Sequence, residues 1–241
     1  MSNSPTEKTS TTGSSASSPF EIIACGALAG HIREIAARRG WPVAVRSLPA
    51  RLHNRPEKIP GYTERAVAAA QATGSRAVVA YADCGTYGAL DTVKRLPGLH
   101  CYDVFAGPDR IAELFAEEPG TYLLTDYLVR TFDRTVLAGL GLDRHPELWS
   151  DYFGHYRRVV WLAQEPTPEL EAEAARIADL FGLPLTRVNT GLGRLESALA
   201  ELIASASDMS SVGHSPHLVS SVGHPSQTAR TTGVTGGEWR D

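Results

Sequence analysis

Three cysteines are the residues of this sequence best suited to chemistry, and each closes a short apolar run. Ile22-Ile23-Ala24 leads to Cys25-Gly26. Ala77-Val78-Val79-Ala80 leads through Tyr81-Ala82-Asp83 to Cys84-Gly85, and Leu99-His100 leads to Cys101-Tyr102. Small and β-branched runs that stop at glycine read as buried strands ending in sharp turns. A thiol at such a turn, with a helix opening behind it, meets backbone N–H groups and a helix dipole that favour its ionised form. Three thiolates from separate loops could hold a [4Fe–4S] cluster by three of its irons, the fourth staying open to a substrate oxygen or nitrogen. With His100 or His53 they could instead make a Cys₃His zinc site. The separations, 59 residues and then 17, lack the CxxC pairing of zinc ribbons and ferredoxins. The ligand set Cys25, Cys84 and Cys101 therefore depends on the fold bringing the loops together. Two other readings stay open: separate buried thiols, or one nucleophilic or redox cysteine, with Cys84 the foremost candidate.

Polar side chains cluster near other strand ends. His53-Asn54-Arg55 lies in the loop after the second apolar run. Arg55 offers a bidentate fork for a carboxylate or phosphate, with Asn54 beside it, or the trio satisfies its own loop. His53 and Asp126 are the candidate proton-transfer groups, although Asp126 also suits an N-cap. Gln164 ends a strand and could orient a substrate through its amide. Asp83 is placed to cap the helix expected after Cys84, and His145 to start a helix at Pro146. His100 precedes Cys101, so strand alternation sends the two side chains apart. Gly191-Leu192-Gly193 could approach a phosphate at a helix start. It lacks the dinucleotide fingerprint, and neither a Walker loop nor a G-x-S-x-G elbow is present.

The elements that must position these groups alternate in type. Strands are expected at 21–26, 42–48, 76–83, 121–125, 159–163 and 185–188, with a short or bent one at best over 95–101 because of Pro97-Gly98. Helices are expected over 29–39, 62–73, 87–94, 102–117 with a break at Pro108, 126–140, 168–181 and 193–203. This alternation predicts an α/β fold: one Rossmann-like domain over 20–204, its sheet mostly parallel, with helices on both faces. In such sheets the ligand crevice lies beyond the carboxyl ends of the strands, where all three cysteines fall.

Segments 1–19 and 205–241 are rich in Ser, Thr, Gly and His. They have too little apolar surface to offset the entropy of ordering and are expected to be disordered tails. The second contains Ser211-Val212-Gly213-His214 and Ser221-Val222-Gly223-His224, an imperfect repeat with His217 between its copies. The 241 residues carry a net charge of -4. Without a basic stripe interleaved with aromatics, nucleic acid is a poor partner. No apolar run approaches the ~18 residues of a membrane span, and no signal pattern opens the chain. A cytoplasmic protein with a small-molecule ligand is the expectation, and there unpaired cysteines are more often free, metal-bound or catalytic.

Taken together, these motifs resemble an uncharacterised bacterial and archaeal family, the domain of unknown function number 1638. The resemblance rests on Ala24-Cys25-Gly26-Ala27-Leu28, Leu52-His53-Asn54-Arg55-Pro56, Asp83-Cys84-Gly85 and Pro97-Gly98-Leu99-His100-Cys101-Tyr102. It continues in Gly120-Thr121-Tyr122-Leu123-Leu124-Thr125-Asp126, Asp143-Arg144-His145-Pro146-Glu147-Leu148 and Leu162-Ala163-Gln164. It implies no established reaction. It points toward one-carbon metabolism and a corrinoid methyltransferase system as partner, either through an enzyme or through a non-enzymatic accessory protein that delivers metal or corrinoid. The chain departs from the family pattern at Ala82 and Tyr87, where glycines are expected, and the bulk of Tyr87 is expected to narrow the site beside Cys84.

Overall fold

The computed structural model describes residues 20–208. The first strand, β1 (Phe20–Cys25), is buried along its whole length. Helix α1 (Ala29–Arg39) ends at Gly40, whose left-handed backbone (φ 62°) lets its N–H cap the last carbonyls. Strand β2 (Val43–Leu48) pairs in parallel with β1, and after helix α2 (Ile59–Ala72) strand β3 (Arg76–Ala80) pairs in parallel with the other edge of β1. The order β2-β1-β3 sends the chain out one way after β1 and back the other way after β2. The carboxyl ends of β1 and β3 therefore flank a crevice.

Two short helices follow, α3 (Asp103–Ala106) and α4 (Pro108–Glu117), split at Gly107-Pro108 where the sequence predicts a break. Strand β4 (Thr121–Thr125) leads into α5 (Asp126–Phe132). A wider, π-type turn over Asp133–Leu137 joins α5 to α6 (Ala138–Leu140). Helix α7 (Trp149–Phe153), strand β5 (Arg158–Ala163), helix α8 (Pro168–Phe181), strand β6 (Leu185–Asn189) and helix α9 (Gly193–Asp208) complete the described chain. Strands β4, β5 and β6 form a second parallel sheet with β5 in its centre.

The α/β character and the parallel pairing agree with the sequence reading, but the single expected sheet is two three-stranded ones. The reason lies at the edge of β3. Val79 N donates to Lys94 O (2.9 Å), Leu96 N to Val79 O (3.2 Å), Asp83 N to Gly98 O (3.0 Å) and Cys84 N to Leu99 O (2.8 Å). The segment after the second cysteine occupies the edge that β4 would otherwise take. The expected strand over 95–101 is reduced there to a single parallel bridge, Val79 to Arg95. The helix expected over 87–94 is a series of turns, because Tyr87 (φ 51°) and Gly88 (φ 82°) are both left-handed.

The two sheets exchange cover. Leu195, Leu199 and Leu202 of α9 join Ile22, Ile23, Val78 and Val79 in the core of the first sheet, although α9 follows the last strand of the second. Ile111 and Leu114 of α4 pack against Leu123, Val160 and Leu162 of the second sheet. Helix α9 runs to Asp208, so the tail expected from Ser205 begins inside a helix. Segments 1–19 and 209–241, with the histidine repeat, lie outside the described residues. Among the described residues no helix is long and apolar enough to cross a membrane.

Gly26 opens the turn after Cys25 where there is no room for a side chain. A Cβ there would stand 2.7 Å from Leu48 O and 2.9 Å from Ala50 N, both backbone atoms. Gly26→Ala is expected to lower stability by about 1–3 kcal/mol, read as a shift in denaturant midpoint with unchanged slope. A wild-type midpoint would show that the β1 and β2 loops are not locked together here.

Candidate functional site

A cavity of about 350 Å³ lies beyond the carboxyl ends of β1, β3 and β4. Cys25 and Leu28 line it from the turn after β1, and His53 and Pro56 from the loop after β2. Cys84 and Gly85 come from the loop after β3, and His100, Cys101, Tyr102 and Phe105 from the run into α3. Thr125, Tyr127 and Leu128 contribute from the β4–α5 junction. Both sheets thus contribute walls to one largely apolar space.

Two carboxylates organise the cysteine loops. Asp83 accepts from the amides of Gly85 (3.1 Å), Tyr87 (3.0 Å) and Gly88 (2.7 Å) and from the Thr86 hydroxyl (3.3 Å). The Gly88 amide above all, then that of Tyr87, holds this carboxyl below its usual range. Asp83 therefore caps a tight loop, not a helix. Within the loop Cys84 adopts φ 53°, a conformation uncommon for a residue with a side chain. Asp103 accepts from Leu99 N (2.7 Å) and His100 N (3.0 Å). It sits against Gly98, where a Cβ would come within 2.8 Å of the Asp103 Cβ.

These constraints bring the thiols into a row. Cys84 Sγ and Cys101 Sγ are 3.2 Å apart, and all three cysteines are free. Cys101 is also the neighbour that acts most strongly on the Cys25 thiol, so it occupies the middle. The three sulfurs do not all fall within 4.8 Å of one another. The neighbouring Cys101 thiol favours the ionised form of Cys25 most, and the Ala27 amide, the nearby Tyr81 hydroxyl and the Leu28 amide add to it. Against the opposing effect of burial, they lower the Cys25 thiol to about 7. Cys101 moves the other way, well above its ordinary value, because its contacts with Cys25 and then Cys84, followed by burial, favour its protonated form. Within the row Cys25 is the thiol most disposed to ionise and Cys101 the one most disposed to keep its proton. Beneath the row lies Tyr81, almost fully buried, whose hydroxyl has no hydrogen-bond partner of normal geometry among the described residues.

Residues 47–199 match a family model described as "Protein of unknown function (DUF1638)". The chain belongs to the DUF1638 family. The match takes in Cys84, Cys101 and His53, while Cys25 precedes it. No curated protein and no solved structure matches the chain.

The other residues singled out from this DUF1638 sequence divide in two. His53 lines the cavity, and its Nδ1 lies 2.7 Å from Ala50 O. That contact assigns the proton to Nδ1 and leaves Nε2 as the accepting nitrogen. His100 lines the cavity as well, despite the alternation expected to turn it away from Cys101. Asn54 and Arg55 are exposed beside His53 but are not part of the lining. Asp126 and Gln164 stand outside it too. The Asp126 carboxylate is fully buried and accepts from Trp161 Nε1 (2.9 Å), Gln164 N (3.2 Å) and Glu165 N (2.8 Å). Gln164 Oε1 in turn accepts from Asp126 N (2.9 Å), and its Nε2 donates to Leu162 O. The pair locks the end of β4 to the end of β5. The N-cap of α5 is Thr125, whose Oγ1 accepts from Leu128 N. His145 makes no side-chain cap; its Nδ1 lies 3.2 Å from Glu147 at the surface.

Sequence reasoning passed over Tyr81 as a polar group because it continues an apolar run. It also passed over a histidine and two glutamates, His31, Glu34 and Glu165. Their only sequence signals are the three-residue spacing on α1 and the position of Glu165 directly after Gln164.

With metal removed, Cys25 is expected to be the thiol whose alkylation rises through about pH 7, while Cys101 stays unreactive beyond the ordinary thiol range. Peptide mass spectrometry across pH reads this, and Cys101 reacting first would overturn the assigned order. Asp126→Ala leaves three buried donors unsatisfied and is expected to cost about 3 kcal/mol or more, measured by denaturant unfolding. A loss under ~1 kcal/mol would show that the lock between β4 and β5 is not needed.

Proposed function

We propose that this DUF1638 protein holds a metal centre, a zinc ion or an iron–sulfur cluster, on Cys25, Cys84 and Cys101, and binds a small polar metabolite in the cavity beside it. The observation that carries this reading is the gathering of three thiols from separate loops on one cavity, above the buried Tyr81 hydroxyl, which has no hydrogen-bond partner of normal geometry among the described residues. Three soft sulfur donors suit zinc or an iron–sulfur cluster over hard cations. The near-neutral Cys25 thiol releases little proton cost to a metal at pH 7, and Tyr81 would donate to the Cys25 sulfur as an outer-shell partner. Sulfurs on one tetrahedral zinc lie about 3.8 Å apart. A zinc ion therefore asks Cys25 to close on the Cys84–Cys101 pair, and a cluster asks that pair to part. We read the two sheets, joined by α9 and the shared cavity, as one Rossmann-like unit.

When bound, such a centre supplies Lewis acidity toward an oxygen of the metabolite. His53 Nε2 accepts a proton at the cavity wall, and Arg55 and Asn54 meet a carboxylate at the rim. Asp126 and Gln164 act by fixing the wall formed by the β4–α5 junction. A second reading, metal-free thiolate chemistry, is favoured by one observation, the Cys25 thiol near 7. It moves the nucleophile from Cys84 to Cys25.

Metal and acid-labile sulfide analysis of protein purified without oxygen decides between them. The expected result is that Cys84→Ser and Cys101→Ser each hold about one zinc per chain less than the wild type, or lose its iron and matching sulfide. Full occupancy in both variants would overturn the ligand assignment. Neither metal in the wild type, with Cys25 alkylated far faster than the other two thiols, would transfer the proposal to metal-free chemistry.

A further inference from the structure

We propose that His31, Glu34 and Glu165 form a second metal site, separate from the cysteines, that takes a divalent transition-metal cation through nitrogen and oxygen. One ligand atom from each of the three lies within 4.8 Å of the other two, and among the described residues no other set of three His, Cys, Asp or Glu side chains does so. His31 and Glu34 stand three residues apart on one face of α1. Glu165 follows β5 directly, where its own N–H is held by Asp126 Oδ2. The backbone that presents Glu165 is therefore fixed by the same carboxylate that locks the second sheet.

Two features point to a missing cation. The first is His31, more than nine-tenths buried, whose ring makes no hydrogen bond among the described residues. Its Nδ1 lies 3.5 Å from Glu165 Oε2, too long for a good hydrogen bond. That distance matches the ~3.4 Å edge between nitrogen and oxygen ligands on one tetrahedral zinc-type ion. The second is the approach of Glu34 and Glu165, which bring carboxylate oxygens within 4.8 Å of each other. Two carboxylates so placed repel unless a proton or a cation lies between them. Arg38, 3.6 Å from Glu34 Oε1, and Arg130, whose charge reaches both His31 and Glu165, offset part of that charge from outside the triad. One imidazole and two carboxylates make a harder donor set than three thiols and suit zinc, cobalt, iron or manganese. Because His31 and Glu34 belong to the first sheet's layer and Glu165 to the second sheet, the ion would clamp the two together behind Phe105, whose ring meets that of His31 edge-on at 5.9 Å.

Cobalt(II) titration of the full chain tests the site independently of the cysteines, because thiolate ligands give near-ultraviolet charge-transfer absorption and nitrogen–oxygen ligands do not. The expected result is a bound component without that absorption, weakened at least tenfold in Glu165→Gln and in Glu34→Gln and unchanged in Cys84→Ser. Glu34 is exposed, so Glu34→Gln decides the matter if Glu165→Gln does not fold. The proposal is overturned if all bound cobalt carries the sulfur absorption, or if the sulfur-free component persists at wild-type affinity in the folded glutamate variants.

Discussion

The four backbone hydrogen bonds along the outer edge of β3 and its continuation determine more of this molecule than any side chain. They run from Val79 and Leu96 to Asp83 with Gly98 and Cys84 with Leu99. By occupying that edge they end the first sheet at three strands, and the remaining strands must nucleate a sheet of their own. By extending past Ala80 they carry Cys84 alongside the segment that leads to Cys101. The sulfur pair is therefore a by-product of strand-like pairing, tightened by Asp83 on one side and Asp103 on the other. Neither carboxylate touches the cavity chemistry, but removing either would release one member of the pair.

The charge pattern follows from that geometry. Three thiols in a row do not ionise alike, because charge on one disfavours charge on the next, and the middle one keeps its proton. Cys25, buried but served by Cys101, two turn amides and Tyr81, becomes the group that carries negative charge. A cysteine at a strand end is commonplace; what distinguishes this one is the number of donors converging on it in a site mostly closed to water.

Much of the fold can be read from the chain itself. The apolar runs ending at Cys25, Ala80, Thr125 and Ala163 are strands, and helix α8 begins at Pro168 and ends at Phe181 as its periodicity requires. The convergence of the cysteines follows from strand ends sharing one edge. The failures have local causes. Tyr87 and Gly88 carry left-handed backbone that periodicity does not register. Thr125 takes the cap that Asp126 suggests, because Asp126 is drawn inward by the Trp161 indole. Gln164 points at a backbone amide in place of a ligand. The division into two sheets rests on pairing between residues some fifteen positions apart, which no single-strand pattern reveals. The histidine–glutamate cluster joins elements more than 130 residues apart and has no compact motif.

The return of α9 to the first sheet also sets an order on how the chain matures. Leu195, Leu199 and Leu202 complete a core whose other members are made near the beginning of the chain. As synthesis proceeds from the N-terminus, β1, β2 and β3 can pair, but one face of their sheet stays uncovered until residues near 200 emerge. The second sheet, with α8 and α4 close by in sequence, has most of its partners at hand sooner. Unfinished apolar surface is what draws chaperones and neighbouring chains. The cysteine loops hang from the half that is finished last, so the three thiols are synthesised well before α9, the helix that completes the core of the sheet carrying them.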